Sequence, residues 1–94
     1  MSNFTFYHAG DLDPDGVLIL QHIQELALRP VTPLRMDAAT FDQYLDWARP
    51  LTKPMLRQIE KVREETRASP ELAGLLRRIQ ETGMGVEQEI IDYR

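Results

Sequence analysis

The sequence predicts an α/β domain: a short parallel βαβ unit followed by a helical C-terminal half. Three observations lead there. Residues 4–9 read FTFYHA, aromatic and β-prone, and stop at Gly10. From Val17 apolar residues recur at three- and four-residue steps, the period of a helix. After Asp37 the periodicity is helical throughout.

Taken in order, residues 4–9 form the first strand. GDLDPDG follows, dense in turn formers. Asp13 then Pro14 opens a helix, because the Asp side chain accepts from first-turn amides and Pro needs no N–H there. Val17, Leu20, Ile23, Leu26 and Ala27 give this helix one apolar face to about residue 28. Arg29-Pro30 ends it. Residues 31–36 make the second strand, with Pro33 suited to an edge. Strand, helix and strand within ~30 residues is a βαβ unit, and its crossover makes the strands parallel. Thr40 with Gln43 predicts a capping box, ahead of a face built from Phe41, Tyr44, Leu45 and Ala48. Pro50 and Pro54 mark a break. A helix over 54–67 points Leu56, Ile59 and Val62 inward, and Arg57, Glu60, Lys61 and Glu64 outward. Ser69-Pro70-Glu71 starts another, with Leu72, Leu75, Leu76 and Ile79. Gly83 and Gly85 interrupt, and residues 86–93 form a last short helix.

The 94 residues allow one domain, 1–94. The 43% hydrophobic and 28% charged content is that of a folded chain rather than a disordered one. Having no cysteine, the chain has no disulfide scaffold, zinc ribbon or thiol nucleophile. The longest apolar run, residues 17–20, is far short of a membrane span, and the N-terminus lacks a signal-peptide pattern. A cytoplasmic location is expected. The net charge of −4 argues against nucleic-acid binding, but it is an average. Residues 1–48 hold two bases against seven acids, and residues 49–94 hold nine against eight.

The acidity is densest at Asp11, Asp13 and Asp15. Crowded like charges are costly unless something neutralises them. Asp11 and Asp13 follow the first strand and precede a helix, where open α/β sheets bind ligands. Two carboxylates two residues apart can reach one hard cation, and Mg²⁺ is often held by one or two carboxylates plus water and phosphate. Gly16 lets the backbone pass closely. The same residues also suit a turn followed by an Asp-capped helix. An EF-hand loop fits poorly: its twelfth position is His22 where a bidentate Glu belongs, and a strand precedes it.

HAGDLDPDG resembles the Asp-x-Asp motif of Toprim domains, the metal-binding folds of topoisomerases, primases and related nucleases. GDLDPDGVLILQHI, then LRMD, then a leucine-rich helix before GVEQEII, are similar to the C-terminal region of the nuclease subunit of Wadjet. Wadjet is a bacterial plasmid-defence system built around an SMC-like complex. The resemblance implies a partial Toprim-like fold and Mg²⁺- or Mn²⁺-dependent DNA cleavage, related to the topoisomerase VI A subunit. It makes Asp11 and Asp13 metal ligands and Gly16 the close-packed glycine. Glu87 and Glu89 match a late acidic motif. It also implies DNA and SMC-like subunits as partners of the full-length protein. A Toprim domain carries a further glutamate on an earlier strand, and residues 3–8 offer no acid. The chain is therefore expected to be a fragment of a longer protein, inactive alone, and no catalytic residue is assigned.

His8 reads as a strand-end residue and His22 as solvated. Arg49, Lys53, Arg57, Lys61, Arg63 and Arg67 could track a phosphate backbone. Interleaved Glu60, Glu64 and Glu65 favour a salt-bridged, solvated face instead. Tyr44 and Trp47 read as packed rather than base-stacking. On a helix Glu87 and Glu89 diverge, so both serve one ion only if that segment is not helical. The second functional reading is a non-catalytic module docking onto the larger complex, through the strand edge or the Leu72, Leu75, Leu76 helix. A two-stranded sheet has open edges, so a further strand or a homodimer through the edge is expected.

Overall fold

Phe6–His8 (β1) and Val31–Pro33 (β2) pair in parallel in the computed structural model, which describes residues 6–93. The expected strand residues 4 and 5 lie outside the described residues. Phe6 pairs with Val31, Tyr7 with Thr32 and His8 with Pro33. Between the strands runs α1, Pro14–Leu26, so the βαβ unit is present. Val17 and Leu20 are fully buried beneath it. The Ala27 amide donates to the Ile23 carbonyl as the helix ends.

The two edges of this sheet differ. The Leu34 amide donates to the His8 carbonyl at 2.8 Å. Alternation along each strand then turns the backbone groups of Tyr7, Val31 and Pro33 away from the pair. On the β2 side the Val31 carbonyl already accepts from Gln24 Nε2 at 3.0 Å, and Pro33 has no N–H. That edge is partly obstructed. The Tyr7 groups face the other edge.

The helical half follows. Ala38–Gln43 (α2) is capped by Asp37, whose Oδ1 accepts from the Thr40 amide at 2.8 Å. This corrects the Thr40/Gln43 capping box: Thr40 lies inside the helix, and the carboxylate three residues earlier takes the amide. A short 3₁₀ turn, Leu45–Trp47, leads to Arg49–Pro50 (β3). Lys53–Thr66 (α3) and Pro70–Thr82 (α4) are capped by Thr52 and Ser69. Leu56 is 46% exposed rather than inward. The buried face of α3 is Ile59, Val62 and Thr66, and Leu56 falls on the flank away from the last two. The Thr66 hydroxyl donates to the Val62 carbonyl at 2.8 Å, which lets a polar side chain share that face. Gly83 ends α4 at φ 66°, a left-handed conformation that glycine adopts without strain.

A second ladder escapes the sequence pattern. Arg49–Pro50 pairs antiparallel with Met84–Gly85 (β4), and Gln88–Tyr93 forms α5. The second strand is also shorter than expected. Extended structure stops at Pro33, and Arg35 takes a positive φ of 56°. Leu75, Leu76 and Ile79 of α4 are fully buried with Phe41 from α2, Val62 from α3, and Leu12 and Val17 from the β1–α1 region. Arg78 Nε donates to Asp42 Oδ1 at 2.9 Å, linking α4 to α2. No helix among the described residues is long and apolar enough to cross a membrane.

Candidate metal centre

The loop after β1 is fixed at its middle residue. Leu12 is fully buried and exchanges two backbone hydrogen bonds with Val86, at 2.8 and 3.1 Å. In an extended segment neighbours of an inward residue project the other way. With Leu12 in the core, its neighbours Asp11 and Asp13 lie on the other side of the segment, Asp11 exposed and Asp13 half-buried.

Each carboxylate is held by a backbone amide from a different element. Asp13 Oδ1 accepts from the Gly16 amide at 2.7 Å and caps α1. Asp11 Oδ1 accepts from the Gln88 amide at 2.7 Å, at the start of α5. Gly16 is required by contact. A Cβ placed on it would stand 2.0 Å from the Asp11 carbonyl oxygen, which is main chain and has no room to yield. Gly85 approaches from the other side, where a Cβ would meet Asp13 Cβ at 3.1 Å. Burial raises the Asp13 carboxyl above its ordinary pKa. The Gly16 amide opposes this, while the charges of Asp11 and Asp15 push it further up. Asp15 itself is exposed in the first turn of α1.

A cleft of about 220 Å³ opens on this loop, lined by His8, Gly10, Asp11, Gly16, Ile19 and Gln88. The Nε2 of His8 is buried and has no hydrogen-bond partner among the described residues. A second cleft of about 220 Å³ shares Gly10 and Gln88 with the first and adds Ala9, Leu34, Arg35, Ile91 and Asp92.

The donor set can be tested against the cation the resemblance implies. A carboxylate has about four lone-pair sites, and these two spend part of that capacity on amides. Hard oxygen donors of like charge, one exposed and one half-buried, suit Mg²⁺ or Mn²⁺. Among the described residues no group of three or more His, Cys, Asp or Glu is placed to hold a metal. A cation held by these two aspartates alone would have to complete its shell with water and phosphate oxygens.

Glu87 and Glu89 are both exposed. Glu87 precedes α5, between Val86 and Gln88, so the chain brings its backbone beside the aspartate loop. Glu89 lies in the first turn of α5. Neither forms a three-member ligand group with the aspartates. His22 is exposed on α1. Of the bases, Arg67 pairs with Glu64 at 2.7 Å, and Arg63 contacts Glu60 at 3.9 Å and also bonds Gln80. Tyr44 is buried, with its ring 6.0 Å from that of Trp47. Two residues at the clefts carry no role in the sequence reading, Gln88, which anchors Asp11, and Arg35; the His8 imidazole, read as a strand-end residue, also lines a cleft. Gln88 lies inside the late GVEQEII motif, the one signal that pointed to it.

Neither the curated proteins nor the solved structures include a match to this chain. A family does match. The model of the family described as "Wadjet protein JetD, C-terminal" spans residues 1–94, and the chain belongs to that family of plasmid-defence components.

Proposed function

We propose that this chain is the cation-binding, Toprim-type part of a Mg²⁺- or Mn²⁺-dependent DNA nuclease, with Asp11 and Asp13 as the cation ligands. The observation that carries the reading is the way these carboxylates are held. Two aspartates flank a buried leucine, each fixed by a backbone amide, on a loop that packs only with glycine at position 16. A divalent cation there would supply a Lewis acid for phosphoryl transfer. The chain's own residues hold the ligands in place: Gly16 and Gln88 orient the carboxylates, and Leu12 with Val86 fixes the loop. Neither β1 nor β2 carries an acidic residue, so a general base is not assigned, and the chain alone is expected to bind rather than cut.

Titration with Mn²⁺, followed by calorimetry, tests this. Asp11→Asn and Asp13→Asn are the informative variants, because the amide oxygen keeps each backbone bond while the charge goes. Wild type should bind and both variants should lose affinity. Equal heats in all three would end the metal reading.

A second reading rests on a separate observation. Phe6 and Tyr7 are 49% and 61% exposed, beside an apolar cleft of about 470 Å³ that reaches Ile23, Ala27 and Leu28. This favours a docking module at the strand edge. The Leu72, Leu75, Leu76 helix offers no such surface, because all three side chains are buried in the core. Sedimentation with and without Mg²⁺ separates the readings: edge pairing raises the mass without the ion.

A further inference from the structure

Arg35 is the sole non-glycine residue with a positive φ among the described residues. That conformation costs an L-residue free energy that glycine or asparagine largely avoids. The flanking chain enforces it. The Leu34 amide is bonded to the His8 carbonyl, Met36 is buried, and Asp37 caps α2. A glycine would satisfy all three constraints more cheaply, yet an arginine stands there.

Its side chain gains nothing visible in return from the protein. Among the described residues the guanidinium makes no ion pair, although the chain carries 15 acids. The carboxylate in its own cleft, Asp92, is bonded by Gln88 Nε2 instead. Arg35 is exposed and follows β2 as Asp11 follows β1, so both stand beyond the carboxyl ends of parallel strands. Gly10 and Gln88 form a common wall between the Arg35 cleft and the aspartate cleft. Strain concentrates where function over-determines a residue, and a planar, permanently charged fork suits phosphate oxygens.

We infer that Arg35 is a substrate-binding residue, holding a backbone phosphate of DNA beside the aspartate loop. The inference rests on the reading of Asp11 and Asp13 as the cation site, whose charge the substrate phosphate would share. The strained backbone is then retained for the fork it presents.

Three measurements on the full chain test this: anisotropy of a fluorescein-labelled DNA duplex across a salt series, thermal melting, and Mn²⁺ titration. Arg35→Gly should melt higher than wild type and bind the duplex at least about tenfold more weakly, as loss of a charge-assisted hydrogen bond predicts. The slope of log K against log salt should shrink by about 0.9, one phosphate contact. Arg35→Lys should keep the charge but lose part of the affinity. Mn²⁺ binding should be unchanged in both variants. Duplex binding equal in wild type and Arg35→Gly, or absent in wild type, overturns the inference. Loss of Mn²⁺ binding in the Asp→Asn variants with Arg35-dependent binding intact sustains both readings. Mn²⁺ indifference to those variants overturns the metal reading while Arg35 is judged by its own arm.

Discussion

Helix α4 and strand β1 both carry large apolar side chains, and these meet opposite fates. Leu72, Leu75, Leu76 and Ile79 of α4 are at most 3% exposed. Phe6 and Tyr7 of β1 are 49% and 61% exposed. The difference is one of partners. α4 packs between α2 and α3, which cover its stripe from two sides. Among the described residues β1 has one neighbouring strand, and Leu28, which lines the cleft beside it, is fully exposed. The helical half is therefore a finished core, and the sheet is a surface. The aspartate loop lies on the seam between them, rooted in β1 and tied to α5.

That contrast can be broken first at the seam. Gly16→Ala places a methyl carbon against the Asp11 carbonyl, so the loop or the start of α1 must move. The expected loss is about 4 kcal/mol, at the upper end for a single change, read from urea midpoints. In the core, Leu76→Ala should cost about 2–5 kcal/mol by the same measurement, because the cavity it leaves is enclosed. Asp13→Ala should cost about 1 kcal/mol through loss of the α1 cap, while Asp13→Asn keeps it.

Acidity sharpens the comparison in a direction opposite to most carboxylates. Asp13 titrates above its unfolded value, so the folded state binds its proton more tightly. Its contribution to stability therefore rises as pH falls through the folded pKa, levelling off below the unfolded one. In chelator-containing buffer the stability gain of Asp13→Asn over wild type should be largest at neutral pH and shrink on acidification. A constant difference across the titration would show that Asp13 is not perturbed. The smallest effect belongs to the sheet surface: Tyr7→Ala should change stability by no more than about 0.5 kcal/mol, in contrast to Leu76→Ala.

Much of this architecture was legible in local chemistry. Asp13-Pro14 announced the start of α1, Ser69-Pro70 that of α4, and the leucine spacing of α4 its buried face. The parallel pairing followed from a crossover long enough to hold a helix. Where sequence reading failed, two local options competed or the decisive contact was remote. Thr40 and Asp37 both had capping chemistry, and the carboxylate prevailed. Leu56 was placed by periodicity alone, without knowing on which flank α4 and α1 would lie. The bond from Gln88 to Asp11 joins residues 77 apart, and the Leu12–Val86 bridge is of the same kind. No local pattern encodes such pairings. The two aspartates were visible as a candidate site, but what holds them was not.

The obstructed edge of β2 has a consequence for assembly. With Val31 O taken by Gln24 and Pro33 lacking a donor, the β2 edge is a poorer template for a further strand than the Tyr7 side. A ribbon that grows by strand addition needs two good edges on every unit. A unit with one good edge favours a single added strand over an open-ended fibre.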